Sequence, residues 1–353
     1  MILESIFVVA AGSGGHMLPA ATLAKQWKDQ HPQSSVIFIT GTTPLEKRIV
    51  HEQPCVDHVK TIDLTKFSTR QWYLLPLIIA QMAWGFIKAL VWLTRYKPSK
   101  VITTGGLHAL PVGYAAWVLR YPLKLYELNV IPGRAIEALA PVATTTYAVF
   151  KATQQYLPTC KPVPYPLRFT EQDKINDPTR LIQHLNDLLR VGQSNDLLFD
   201  PSRKTLMILG GSQGSQLLNR LTRQFCMDHK HLLHNVQVIH QTGAFEEHWW
   251  KDFYKSVKVP AYTFSYNQRI SECYQLADVI VCRAGAGTLF ETVFFNRPCI
   301  VIPLVADTTD HQVNNAREIA LMYPELITVF AQESVVAGQH KLFEAMAERL
   351  EPR

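Results

Sequence analysis

The sequence VIVCRAGAGTLFE, residues 279–291, joins an apolar run, a turn of small residues and the start of a helical pattern. Val279–Cys282 predicts a buried strand, Ala284–Gly287 predicts a tight turn, and the helical pattern runs from Thr288 through Phe295. A strand that leads directly into a helix leaves backbone N–H groups and the positive end of the helix dipole open to a ligand. This stretch therefore predicts a parallel α/β sheet with a site for a phosphate or a sugar hydroxyl.

Glu291 lies one turn into this helix, and its carboxylate can accept two hydrogen bonds from a ribose diol. A carboxylate does not favour phosphate, so the sugar is its better partner. Glycine and alanine are also common where a strand and a helix simply pack closely. This stretch alone leaves both interpretations open.

Composition limits the class of protein. The 353 residues suffice for two domains with cores of their own, and 47% hydrophobic with 18% charged residues indicates a globular chain. A net charge of +6 favours an anionic partner such as a diphosphate or an acidic membrane surface. No dense Lys/Arg run supports a nucleic-acid groove. The six cysteines lack metal-ligand spacing, which is typical of reduced packing residues in a cytosolic protein.

Each half of the chain opens with a strand, a glycine loop and a helix. Ile6–Ala10 leads into AGSGGH at 11–16 and a helix predicted over Pro19–Gln30, and Thr205–Leu209 leads into GGSQGS at 210–215. Strands and helices alternate afterwards, which predicts two Rossmann-like doubly wound domains facing each other across a cleft. The other predicted strands are Val36–Thr40, Val101–Thr104, Leu123–Asn129, Tyr147–Phe150 (the last of the first half), Val236–His240, Ala261–Phe264 and Cys299–Pro303.

A proline-rich segment between Lys151 and Arg180 is the candidate linker between the domains. We place the first domain at residues 1–163 and the second at residues 164–333. The amphipathic C-terminal helix within residues 334–353 is expected to pack back on the first domain.

Trp72–Leu93 is the most apolar stretch of the chain, and basic residues flank it on both sides. Three interpretations are open: a core helix, an interfacial helix on an anionic membrane, and a membrane span. The span is disfavoured because the α/β pattern resumes directly afterwards at Lys100–Thr104. For the interfacial helix, the candidate membrane contacts are Leu75, Ile79 and Trp84.

Six segments distributed along the chain carry a family resemblance. They are AGSGGHMLPA at 11–20, YELNVIPG at 126–133, ILGGSQGSQLLN at 208–219, HQTG at 240–243, CRAGAGTLFE at 282–291 and DHQVNNA at 310–316. In this order they resemble the MurG family of bacterial glycosyltransferases. The resemblance implies the GT-B architecture, with an α/β fold and no cofactor or metal requirement.

The resemblance also implies two substrates and a location. The donor is UDP-N-acetylglucosamine, and the acceptor is undecaprenyl-pyrophosphoryl-muramyl-pentapeptide, which becomes lipid II of peptidoglycan synthesis. The enzyme would act peripherally at the cytoplasmic face of the cell inner membrane.

The family's binding residues carry over to matching positions. In the first half they are Ser13, Gly14 and Gly15 against the donor sugar and the acceptor diphosphate, and Asn129 against the donor sugar. In the second half they are Arg168 and Ser212 at the UDP phosphates, Ala286, Gly287, Thr288, Leu289, Phe290 and Glu291 around the nucleoside, and Gln312 at the N-acetylglucosamine hydroxyls. The sequence departs from the family pattern at Tyr165, at Phe290 and at Asn267, where the uracil-contacting residue is usually apolar.

His16 is the candidate general base for the muramyl hydroxyl, because a histidine titrates near neutral pH. A histidine after a glycine turn is otherwise often a helix cap or a packing residue. Glu127 is a second candidate base or an orienter of His16, and it can also simply cap a loop.

For the leaving diphosphate, Arg168 supplies a permanent cation and the 210–215 loop supplies N–H groups. The absence of an Asp-X-Asp motif fits chemistry without a metal. Asp307, Asp310 and His311 could imitate a metal cluster, but structural hydrogen bonding is the favoured interpretation.

Two other functions compete with this one. A related GT-B transferase acting on a diacylglycerol or other lipid would keep the nucleotide loops, and a non-catalytic scaffold would bind nucleotide without turnover. A Rossmann dehydrogenase is disfavoured because neither glycine loop has the G-x-G-x-x-G spacing with an acidic residue after the next strand.

Overall fold

The computed structural model describes residues 4–65, 73–175, 177–192, 198–211, 214–243, 247–267, 270–305 and 311–351. The chain divides into two compact units, Met1–Arg168 and Phe169–Arg353. Residues 164–168, predicted from the sequence to lie in the second domain, belong to the first unit. The proline-rich segment contributes a short strand to the first sheet, and this extends that unit.

Among its described residues, the first unit has one parallel sheet of seven strands with helices between them. The strands are β1 (Ser5–Val9), β2 (Ser35–Thr40), β3 (His58–Thr61), β4 (Lys100–Thr103), β5 (Leu123–Glu127), β6 (Thr145–Ala148) and β7 (Lys161–Pro162), in the spatial order β3-β2-β1-β4-β5-β6-β7. The helices are α1 (Gly14–Gln30), α2 (Pro44–His51), α3 (Leu75–Tyr96), α4 (Ala109–Val118) and α5 (Arg134–Leu139). β1 and β2 form continuous apolar runs because helices cover both faces of the sheet.

The second unit repeats this plan, with six parallel strands among its described residues. The strands are β8 (Lys204–Leu209), β9 (Val236–Gln241), β10 (Ala261–Phe264), β11 (Val279–Cys282), β12 (Cys299–Val301) and β13 (Ile327–Val329), in the order β10-β9-β8-β11-β12-β13. The helices are α6 (Pro178–Gly192), α7 (Gln216–Asp228), α8 (Glu247–Ser256), α9 (Ile270–Leu276), α10 (Ala286–Phe294), α11 (His311–Met322), α12 (Gln332–Ala337) and α13 (His340–Leu350).

Three differences from the predicted elements have simple causes. α1 begins at Gly14 and not at Pro19, because the glycines that suggested a turn form the first turn of the helix. β3, β7 and β13 were not predicted, since each is only two to four residues long and none forms an extended apolar run. The prediction that Tyr147–Phe150 ends the first half was wrong, because β7 pairs with β6.

The C-terminal segment does not pack as predicted. It forms two helices, α12 and α13, and both contribute to the core of the second unit. The apolar face of α13 lies on β8 and β11 of that sheet. An amphipathic pattern shows that a helix buries one face, but it does not identify the partner of that face. The buried residues of α13 are Leu342, Phe343, Met346 and Leu350.

Candidate active site

In the first unit the strand order reverses between β1 and β4, which is where doubly wound sheets form a ligand crevice. The loop after β1 contains Gly12 at φ +97°, a conformation that favours glycine. α1 starts at Gly14, so the N–H groups of Gly14 and Gly15 lie in a first helical turn, where no intrahelical carbonyl accepts them. Ser13 is the N-cap residue and makes no capping bond with its side chain. The predicted loop residues thus present a helix start at this crevice.

His16 links the two strands on either side of the reversal. Its Nδ1 lies 2.8 Å from the carbonyl oxygen of Thr104, which follows β4, and Thr104 Oγ1 donates to the His16 carbonyl at 2.9 Å. A carbonyl oxygen only accepts, so Nδ1 carries the proton and the neutral ring has its lone pair on Nε2. This tautomer suits a general base that works through Nε2.

Glu127 ends β5, beside β4, and only 2% of it is exposed. Oε1 accepts the N–H groups of Leu128 and Asn129, both at 2.8 Å, and the Asn129 side-chain amide at 3.1 Å. Oε2 accepts the Gly133 N–H at 2.8 Å. Burial raises the pKa of Glu127 to about 7, against the opposing effect of these hydrogen bonds. The carboxyl group therefore organises its loop and fixes Asn129, whereas its role as a base stays a prediction.

The strand order of the second unit reverses between β8 and β11, and glycines shape the loop that follows β8. Gly211 and Gly214 have φ values of +82° and +75°. A Cβ atom on Gly214 would lie 2.8 Å from the carbonyl oxygen of Thr242, and one on Gly210 would lie 2.7 Å from the Ser215 nitrogen. The loop keeps this close packing only with glycine at both positions.

Arg283 joins three elements at this second reversal, and it is not among the residues predicted from the sequence. Its Nε donates to Ser215 Oγ at 3.0 Å, and its Nη1 donates to the Ile302 carbonyl at 3.1 Å and to Gln332 Oε1 at 2.9 Å. Burial lowers the pKa of the guanidinium group. The available signal was a basic residue directly after a buried strand, at the carboxyl edge of a parallel sheet.

Gln312, near the start of α11, supports the same turn. Its Oε1 accepts the N–H groups of Ala284 at 3.1 Å and Leu304 at 3.0 Å. The carbonyl half of the side chain is therefore structural, and the predicted contact with a sugar hydroxyl would use the NH₂ group.

The predicted nucleoside segment forms the start of α10, whose N-cap residue is Gly285. Glu291 is 7% exposed, and Leu289 is completely buried. The Leu289 side chain lies in the core, so any substrate contact by this residue uses its backbone. Ala286 is also buried, while Gly287, Thr288 and Phe290 are half-buried.

The remaining predicted residues are less informative. Arg168 ends the first unit and is half-buried. Asn267 is half-buried, with Nδ2 at 3.6 Å from Cys273 Sγ. All six cysteines are free and buried, and within the described ranges no group of three or more His, Cys, Asp or Glu could hold a metal ion. Ser212, Asp307 and Asp310 lie outside the described residues.

α3 buries one face and exposes another. Ile78, Gly85, Ala89 and Leu93 pack into the first unit, and a Cβ atom on Gly85 would lie 2.9 Å from Ile62 Cγ2. Of the described helices, α3 alone is long and apolar enough to cross a membrane, and only 22% of its most apolar window is buried. The exposed apolar side chains include Leu75 at 46%, Ile79 at 60% and Trp84 at 58%. A simple core helix does not describe this element.

Comparison with known proteins supports the fold and the family. The model of the glycosyltransferase family 28 N-terminal domain matches residues 6–148, and that of the C-terminal domain matches residues 205–350. The crystal structure of Acinetobacter baumannii MurG is similar, with a TM-score of 0.67, 23% identity, and coverage of 98% of this chain and 91% of that one. The prediction of a GT-B fold is confirmed.

Two curated relatives carry the same name, UDP-N-acetylglucosamine–N-acetylmuramyl-(pentapeptide) pyrophosphoryl-undecaprenol N-acetylglucosamine transferase. The protein from Anaeromyxobacter dehalogenans is 26% identical over 89% of this chain and 77% of its own length. The protein from Bacillus pumilus is 29% identical over 89% of this chain and 82% of its own length. The matches to both domains of one family confirm the resemblance found in the sequence: this chain belongs to glycosyltransferase family 28.

Proposed function

We propose that this protein transfers N-acetylglucosamine, with inversion, from UDP-N-acetylglucosamine to undecaprenyl-pyrophosphoryl-muramyl-pentapeptide. The observation that carries the proposal is the His16–Thr104 hydrogen bond, because it selects the tautomer with its lone pair on Nε2, and a general base accepts a proton through such a lone pair. The names of the two curated relatives support the choice of donor and acceptor.

In the proposed reaction, His16 Nε2 accepts the proton of the muramyl O4 hydroxyl while that oxygen attacks the anomeric carbon of the donor sugar. The new bond joins O4 to the anomeric carbon, and the bond from that carbon to the UDP oxygen breaks. The electron pair leaves with UDP, and the proton stays on the imidazole. Asn129, fixed by Glu127, is suited to orient the donor sugar.

The growing negative charge on UDP needs donors that are already in place. The first N–H groups of α7, which follows the glycine loop after β8, and of α10 supply them, and Arg168 adds a permanent cation. Arg283 acts one step away, since its guanidinium group holds Ser215 at the end of that loop. We expect the reaction to proceed without a divalent ion.

The test is turnover of UDP-N-acetylglucosamine on a short-chain lipid-linked muramyl acceptor with EDTA present. UDP-glucose, UDP-galactose and a diacylglycerol acceptor are assayed in parallel. The proposal is supported if transfer occurs from UDP-N-acetylglucosamine to the muramyl acceptor and not with the other donors or the diacylglycerol acceptor. Preference for the diacylglycerol acceptor would identify the related lipid glycosyltransferase, and binding of UDP without any transfer would identify the scaffold.

We further propose that the exposed face of α3 attaches the enzyme peripherally to the cytoplasmic surface of the cell membrane. Exposed apolar side chains beside basic residues favour the interface of an anionic bilayer. Lys88 Nζ lies 6.0 Å from the Trp84 ring centroid, and Arg95 and Lys97 follow at the helix end. A membrane span is disfavoured because the opposite face is packed into the first unit.

Sedimentation with anionic liposomes tests this attachment. The double substitution Leu75→Glu and Ile79→Glu is expected to abolish cosedimentation, because two carboxylates would enter the apolar layer of an anionic surface. The matched control is Leu321→Glu with Val336→Glu, since both residues are exposed apolar side chains of the second unit. Equal sedimentation of the α3 variant and the wild type would show that the assignment is wrong.

A further inference from the structure

Glu46 is a buried carboxylate behind the first glycine loop, and only 1% of it is exposed. Oε1 accepts the Gly12 N–H at 2.6 Å, while Oε2 accepts the N–H of Thr43 at 2.8 Å and its hydroxyl at 2.6 Å. Burial acts to raise the pKa of Glu46, but the hydrogen bonds from Thr43 and Gly12 outweigh it and the net pKa is lowered. The carboxylate is therefore ionised at neutral pH and bound to the loop.

The neighbouring residues make room for this carboxylate. Gly41 directly follows β2, and a Cβ atom there would lie 2.6 Å from Glu46 Oε2 and 2.8 Å from Oε1. Burial lowers the pKa of His108, a histidine whose protonated form would attract Glu46, despite the attraction of the carboxylate. His108 is thus neutral at pH 7 and does not compete with Gly12 for the carboxylate as a cation.

Gly12 is linked to the candidate base His16 through the residue between them in the hydrogen-bond pattern, Ser13. The next residue, Ser13, accepts the backbone N–H groups of His16 at 3.1 Å and of Met17 at 3.0 Å through its carbonyl oxygen. The position of His16 therefore has two supports. Thr104 holds the ring on one side, and Glu46 holds the loop that precedes it on the other.

The second unit contains the same arrangement, but a neutral amide takes the place of the carboxylate. Gly211, also in the left-handed region, donates its N–H to Gln241 Oε1 at 3.0 Å. A side-chain oxygen thus holds each glycine loop, from α2 in the first unit and from the end of β9 in the second. Because an amide oxygen does this in the second unit, the hydrogen bond and not the charge is the shared element.

We propose that Glu46 is a positioning residue for the transfer reaction, which fixes Gly12 so that the first turn of α1 and His16 keep their working geometry. This inference rests on the proposed function. A loop displaced by about 1 Å can cost roughly 100-fold in rate, because reacting groups must meet at close range.

Three variants test the proposal. Glu46→Ala removes the acceptor, and Gly41→Ala displaces the carboxylate while leaving Glu46 in the chain. Both are expected to lower kcat about 100-fold with the Kd for UDP unchanged. Glu46→Gln keeps an oxygen for Gly12 and is expected to retain kcat within about threefold of the wild type, as Gln241 does in the second unit.

A measurement independent of turnover separates this inference from the proposed function. Amide hydrogen exchange in a peptide covering residues 11–18 is expected to accelerate in Glu46→Ala and Gly41→Ala and to stay at the wild-type rate in Glu46→Gln. An inactive wild type would refute the proposed function, and the exchange rates would still decide the positioning role. Unchanged exchange in the alanine variants, or equal loss of kcat in Glu46→Gln, would overturn the proposal.

Discussion

The two units reverse their strand order in the same way but bridge the reversal with different chemistry. In the first unit the bridge is His16 to the Thr104 carbonyl, and in the second it is Arg283 to the Ser215 hydroxyl. The first bridge ends in a ring that can take up a proton, and the second in a cation that keeps its charge. One topology thus holds a titratable ring in the first unit and a permanent cation in the second, which is what the proposed proton transfer and anion binding require.

The substitution His16→Ala is expected to have the largest effect on the difference between the two units. It removes the imidazole ring that bonds to the Thr104 carbonyl and is proposed to accept the proton. A general base contributes about 10²- to 10⁴-fold to the rate. We expect kcat for N-acetylglucosamine transfer to fall by about 10³-fold or more, while titration calorimetry gives a nearly unchanged Kd for UDP.

His31→Ala is the control for this variant, because His31 is the C-cap residue of the same helix and stacks on Trp27. It should leave both quantities close to the wild type. Loss of UDP binding together with turnover in His16→Ala would mean that His16 is structural, and the comparison between the bridges would fail.

Local patterns and long-range contacts differ in what the sequence can predict. The strand, small-residue turn and helix at Ile6, Thr205 and Val279 were predictable because apolar runs and small turn residues act within a few residues of the chain. Arg283 and Glu46 were missed because their partners lie 68 and 34 residues away. The sequence shows a basic residue after a buried strand at Arg283 and a helix cap at Glu46, but it does not identify the distant partner of either residue.

Resemblance to a family gave names for residues but not their contacts. Gln312 was predicted to bind a sugar, yet its carbonyl oxygen is occupied by two backbone N–H groups of its own unit. Glu127 was predicted as a base, and the structure adds that its two oxygens hold the loop of Asn129. Such roles depend on where backbone donors point, which a one-dimensional pattern does not contain.

The substitution Glu127→Gln is expected to have the next largest effect, on the pH dependence of the free energy of unfolding. Because burial raises the pKa of Glu127 from 4.5 to about 7, the folded protein binds a proton more tightly than the unfolded chain. The wild type should lose up to roughly 3 kcal/mol of stability as pH rises from 4.5 through 7. Glutamine stays neutral, so the free energy of unfolding of the variant should lack this decline.

Urea unfolding at pH 5, 6, 7 and 8 measures the difference between the two proteins. Their stabilities should be closest at pH 5, with the variant gaining relative to the wild type at each higher pH. Parallel curves, with the variant weaker throughout, would show that the four N–H donors keep the carboxylate ionised. The proton chemistry of the first unit would then rest on His16 alone.

The smallest expected effect is that of Arg283→Lys on UDP binding by the second unit. Arg283→Lys keeps the positive charge but loses the planar fork, so one ammonium group cannot reach Ser215, Ile302 and Gln332 together. The glycine loop then loses its anchor, and we expect UDP to bind about tenfold more weakly, or 1.4 kcal/mol. The KM for the acceptor should not change, because the residues proposed to contact the acceptor belong to the first unit. Titration calorimetry with UDP and steady-state kinetics measure both quantities.

Arg297→Lys provides the matched control for that substitution. Arg297 is half-buried in the same unit, burial lowers its pKa too, and its Nη1 donates to the Ala277 carbonyl at 3.3 Å. It precedes β12, however, and therefore lies at the opposite edge of the sheet from Arg283. If both lysine variants weaken UDP binding equally, the effect comes from general loss of a buried guanidinium group. If only Arg283→Lys does, the bridge to Ser215 is what prepares the second unit for an anion.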